Sequence, residues 1–156
     1  MTLNPNPYFE KYGGIFLGLL IGLVAYFFLK PLYNERWEHF MSFAFFTACG
    51  ATVYLGVMLL INYNIETAPM SKIRRRELLY KHIIRHNLQV LILAIVVSLF
   101  TAFAINLNYY DQPEEYQKVL LCLIIFLLVW LVVDGYNLTK VYILIFRKYK
   151  NTPLGR

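Results

Sequence analysis

Apolar residues gather in four blocks, Gly13–Leu29, Phe40–Ile61, Leu88–Leu107 and Val119–Val133, and polar connections separate them. The first three blocks contain no Asp, Glu, Lys or Arg. Each is near the ~20 residues needed to cross a ~30 Å hydrocarbon core. The fourth reads as unbroken Val, Leu, Ile, Cys, Phe and Trp until it meets Asp134. The pattern predicts an all-α, polytopic integral membrane protein forming one domain over residues 1–156. Its four transmembrane helices fall at about 13–30, 40–61, 88–107 and 117–138.

Two of these helices read as longer than a bilayer requires. Pro69 and Ser71 supply helix start signals. Beyond them Ile73, Tyr80, Ile84, Leu88 and Leu91 recur at intervals of seven, four, four and three, which keeps one apolar stripe on a helix that runs into span three. The spacing predicts a single helix from Ser71 to about Asn106. Its segment at about 71–87 would project roughly four turns from the bilayer. After span four no proline interrupts the chain until Pro153. That predicts a helix from about Glu115 to Lys148, of which 139–149 is a second extension.

Charge then orients the spans. With both termini inside, the inner side holds Lys11, Lys72, Arg74, Arg75, Arg76, Lys81, Arg85, Lys140, Arg147, Lys148, Lys150 and Arg156. The outer side keeps only Lys30, Arg36 and Lys118, beside the acids Glu35, Glu38, Asp111, Glu114 and Glu115. Such a positive-inside bias predicts cytoplasmic N- and C-termini and a multi-pass protein of a bacterial inner (plasma) membrane. The net charge of +6 is accounted for by insertion, so direct nucleic-acid binding is not the expected reading. Met1–Pro7 lacks a basic leader region, and no small-residue cleavage pattern follows the first block, so that block is expected to be a retained helix. Cys49 and Cys122 both fall inside spans at different depths, a placement that argues against a structural disulfide or a metal pair.

The outer loops, about Lys30–His39 and Asn108–Gln117, are short and rich in aromatics, as an interfacial belt would be. Room for interaction lies on the inner side. The basic residues Arg74, Arg75, Arg76, Lys81, Arg85, Lys140, Arg147 and Lys148 would there form a helical platform that docks a soluble partner, lies on anionic membrane lipid, or does both.

Within the spans, Gly14, Gly18 and Gly22 recur every four residues and cut a flat groove along one helix face. Its partner is either span two of the same chain, which offers a matching small-residue face at Ala48, Thr52 and Gly56, or a second protomer. Packing within the chain is the expectation. Asp134 lies about 25 Å from the outer end of its span, at 1.5 Å per residue, and so near the inner interface. It is expected to pair there with Arg85, His86 or Lys140; an ion or proton role is the minor alternative. His82 and His86 share a helix face without a supporting acid or cysteine, and they extend the basic surface rather than hold metal. Arg76 and His82 match a loose ribonuclease spacing that three consecutive arginines produce by chance. There is no phosphate loop, nucleophile–base set or haem-type His pair. The chain is therefore read as a non-enzyme without a cofactor.

At the level of architecture the chain resembles the small four-span membrane subunits of bacterial anti-phage defence systems, of the Kiwa membrane-subunit type. Four short spans, minimal outer loops and the basic stretch Lys72–Arg85 carry the resemblance over the whole chain; no residue-level motif does. It implies assembly in the inner membrane beside a soluble DNA-binding partner. Two function classes follow. One is a homo-oligomeric membrane subunit that senses a membrane event and docks a soluble cytoplasmic protein. The other is a small channel or transporter. Since spans one to three carry no charged residue near the bilayer midplane and no span has an internal proline, the first class is preferred.

Overall fold

Four apolar helices pack as two pairs, and the last three helices share one buried core. The structure is a computed structural model and describes residues 7–28, 35–63, 77–106 and 112–150, with side chains over 12–28, 36–61, 81–106 and 112–144. Among these residues the helices are α1 (Pro7–Phe28), α2 (Glu35–Tyr63), α3 (Glu77–Asn106) and α4 (Glu114–Lys150). Three are long and apolar enough to cross a membrane, over Arg36–Ile61, Lys81–Asn106 and Glu114–Leu144. The apolar stretch of α1, Tyr12–Phe28, is shorter.

Helix α4 begins one residue before and ends two residues after the helix read from the sequence. Pro113 opens it: the Gln117 amide donates to Pro113 O at 3.1 Å, and the Gln117 side chain donates to Gln112 O at 2.9 Å. Glu114 and Glu115 in the first turn complement the helix dipole, and Lys118 pairs with Glu114 at 2.9 Å. With 37 residues, α4 is about 55 Å long at ~1.5 Å per residue. Helix α3 is described from Glu77; the predicted start at Ser71, with Arg74, Arg75 and Arg76, lies outside the described residues.

Helix α1 packs along α4, α2 packs along α3, and the pairs join through α3 and α4, with a lesser contact between α2 and α4. The buried positions follow a heptad. On α3 they are Ile83, Asn87, Val90, Ala94, Val97, Thr101 and Ala104, at alternating steps of four and three. On α2 they are Trp37, Met41, Ala44, Ala48 and Leu55, and on α4 Gln117, Leu121, Ile124, Leu128, Leu131, Leu138 and Tyr142. Alternating steps of four and three keep a seam facing its partner in left-handed helix packing. The stripe read from the sequence on α3 is therefore one residue out of phase. Leu88 is exposed and Ile84 and Leu91 are half-buried, whereas Ile83, Asn87 and Val90 turn inward.

The buried α2 and α3 positions are rich in alanine, and the outward ones are large. Phe16, Leu23 and Phe27 of α1, Phe43 and Phe46 of α2, and Leu99 and Phe103 of α3 are all exposed. Hydroxyls inside the helices return to their own backbone. Thr52 donates to Ala48 O at 2.9 Å, Ser98 to Ala94 O at 2.8 Å, and Thr101 to Val97 O and Ser98 O at 2.8 and 3.0 Å. Apolar helices can thus carry them without an orphaned donor.

Candidate functional site: the polar end of the bundle

Helix α4 packs through two faces. One is its heptad seam. The other is the stripe Cys122, Phe126, Trp130 and Asp134, at steps of four, which lies against Gly22, Gly18 and Gly14 of α1 in antiparallel register. The glycine groove is thus closed within the chain, but by span four and not by span two. Of the matching face proposed on α2, Ala48 is fully buried in the core, while Thr52 is half-buried and bonded to its own helix. A Cβ at Gly56 would meet nothing within 4 Å. Backbones approach closely only where both neighbours leave room, and on α2 and α3 alanine does so without glycine.

Close approach at Gly14 brings an acid under the surface. Asp134 is 9% exposed, the one buried carboxyl among the described residues. Its Oδ2 accepts a hydrogen bond from Trp130 Nε1 at 2.7 Å, one turn earlier on the same helix. Its Oδ1 is sealed from solvent and takes no hydrogen bond. An added Cβ at Gly14 would stand 2.5 Å from that oxygen. His86 of α3 lies within electrostatic range. Of the three partners expected for Asp134, His86 is within electrostatic range, Arg85 and Lys140 are both exposed, and the hydrogen bond comes from an indole.

Three further contacts extend the polar end along α4. Asn87 of α3, wholly buried, donates from Nδ2 to Tyr142 Oη at 3.1 Å. Tyr54 of α2 meets Thr139 Oγ1 at 3.3 Å. Since the Thr139 proton goes to Gly135 O at 2.8 Å, Tyr54 is the donor. Asn87 Oδ1 and Asn137 Nδ2 are buried without hydrogen-bond partners, as Asp134 Oδ1 is. Sequence reading missed Asn87, Trp130, Asn137 and Tyr142, although Trp130, Leu138 and Tyr142 stand four, four and eight residues from Asp134 and so share its side of the helix.

These contacts also sort the ends of the bundle. Tyr54, Asn87 and Tyr142 are brought together, so the exposed cations Lys81, Arg85 and Lys140 flank one end, and Glu38, Glu114 and Glu115 flank the other. Arg147 and Lys148 belong to the last turns of α4, with side chains outside the described residues. Cys49 and Cys122 are free thiols on α2 and α4. No cluster of three His, Cys, Asp or Glu side chains suited to a metal ion occurs among the described residues. The fold and site define an all-α bundle with an apolar exterior, one basic end, and a buried acid beneath that end. No protein family, curated protein or solved structure matches the chain.

Proposed function

We propose that the chain is a non-enzymatic, four-span subunit of a bacterial inner membrane, with both termini cytoplasmic, that docks a soluble partner on its basic end. Outward-facing Phe, Leu, Ile and Val on all four helices support the membrane placement, because soluble proteins rarely expose contiguous apolar patches beyond a few hundred Å². Helix α1 is included as a span because its Gly14–Gly22 groove lies along Asp134–Cys122, inside the apolar stretch Glu114–Leu144 of α4. A helix packed there must share the medium of its neighbour.

The observation that carries the docking role is the length of α4. At about 55 Å it exceeds a ~30 Å hydrocarbon core by several turns. With α3 beside it, the excess presents Lys81, Arg85 and Lys140 to the inner aqueous phase. Homo-oligomerisation belongs to the proposal and must use outward faces, since the glycine groove is occupied by α4. The anti-phage setting rests on the architectural resemblance alone. The second reading, a small channel or transporter, draws on Asp134, because buried ionisable groups in membranes commonly mark ion or proton pathways.

Co-purification from native membranes tests the choice. A stoichiometric soluble protein, released as salt rises, supports docking. Purified protein that binds no soluble partner but passes ions across vesicle walls would replace docking with the channel reading.

A further inference from the structure

Asp134 holds an oxygen that accepts no hydrogen bond, while half-buried His86 of α3 lies within electrostatic range of its carboxyl. Trp130 serves Oδ2. Oδ1 is buried, without a hydrogen bond, and faces Gly14 of α1. A carboxylate sealed in apolar surroundings with one donor is strongly unfavourable unless something neutralises it. A bound metal ion or a water molecule would need space at Oδ1. On the side that faces α1 there is little of it, since a methyl carbon at Gly14 would stand 2.5 Å from the oxygen. A proton needs none. It turns the carboxylate into a neutral acid in which Oδ1 carries hydrogen and Oδ2, now the carbonyl, still accepts from the indole. A neutral acid with one unused O–H is far cheaper to bury than an uncompensated anion.

We propose that Asp134 is a proton-binding site, occupied on Oδ1 while α1 is closed over α4. Among the described side chains, the titratable and charged groups at this end are as follows. Helix α3 brings His86, half-buried, with Lys81, His82 and Arg85 exposed beyond it. Helix α4 adds exposed Lys140 and Tyr136 and buried Tyr142, α1 adds exposed Tyr12 two residues from Gly14, and Tyr54 is the titratable group of α2 at this end. The proton comes from and returns to water at the basic end. Its loss leaves a carboxylate that demands water, which reaches Oδ1 only when α1 moves away at Gly14. Proton occupancy and closure of the α1–α4 seam are thereby one equilibrium. This rests on the membrane-embedded reading only for what the proton would report, since the site lies inside the bundle whatever surrounds it.

Infrared difference spectroscopy on the full chain in neutral-lipid nanodiscs, titrated in H2O and D2O without any soluble partner, tests the site directly. The expected result is a protonated-carboxyl C=O band at neutral pH that shifts in D2O and is lost in Asp134→Asn. In Trp130→Phe the band should move to higher frequency, because the carbonyl oxygen loses its donor. That second variant decides the matter should Asp134→Asn fail to fold. A wild-type spectrum without such a band at neutral pH overturns the proposal. So does a band that survives Asp134→Asn in folded protein, or one that Trp130→Phe leaves in place. None of these outcomes depends on partner docking, so failure here and failure of the docking role are distinguishable.

Discussion

Gly14 and Asp134 face each other across the α1–α4 seam so closely that a methyl group at residue 14 would stand 2.5 Å from Oδ1 and 2.8 Å from Trp130 Cδ1. Docking of α1 and burial of the acid are therefore a single event. A side chain at this point would force the indole–carboxyl pair to shift. Without the pair, α1 would lie against a gap at its polar end.

The three groove glycines should respond to alanine unequally. At Gly18 the new methyl would stand 2.9 Å from both the Phe126 ring and the Phe126 carbonyl oxygen, and backbone cannot turn away. At Gly22 the nearest atoms are 3.3 Å off. Gly18→Ala and Gly14→Ala should each cost about 1–3 kcal/mol from overpacking. Gly22→Ala should cost less. Gly56→Ala, with open space around it, should be neutral or gain up to about 1 kcal/mol of helix propensity. Thermal unfolding in mild detergent gives the order, and equal losses at Gly18 and Gly56 would show that the groove does not hold α1.

Asn87 and Tyr142 tie α3 to α4 beneath the basic end. Tyr142→Phe leaves the Asn87 amide buried with no acceptor, an expected loss of about 1–3 kcal/mol. Asn87→Leu removes the orphaned amide together with its need for a partner, and should cost less. A double-mutant cycle measures the coupling, for which about 0.6 kcal/mol is typical of hydrogen bonds inside membranes. Additive losses would mean that the bond contributes nothing.

The exposed cations should act on partners without acting on the fold. Lys81→Gln/Arg85→Gln/Lys140→Gln is expected to insert and unfold as the parent does while losing the soluble partner proposed for this end at moderate salt, because rim charges set steering and salt dependence. Pull-down across a salt series reads this out. Retention of the partner by the triple variant at high salt removes the basic end from docking.

Orientation is checked separately. Reporters active only in the periplasm, fused at Met1 and at Arg156, should both stay silent, as twelve of the fifteen Lys and Arg residues then lie inside. Activity at either fusion would invert the bundle and place the polar end outside.

Legible in the amino-acid sequence were the helical content, the ends of α4 to within two residues, the four apolar blocks and the sorting of charge between the two ends. These are local properties: runs of apolar residues, Pro113 with the acids behind it, and the sign of each connection. It did not determine which helices pair, or which face of each turns inward. In a soluble helix the buried face is the apolar one and hydropathy gives its phase. In α3 nearly every face is apolar, so Ile84, Leu88 and Leu91 looked as good a seam as Ile83, Asn87 and Val90, and polar Asn87 argued against the true one. The groove of Gly14, Gly18 and Gly22 was legible, but its occupant was not. The fit of Phe126, Trp130 and Asp134 into it depends on side-chain shape across distant segments, and only the tertiary packing decided it.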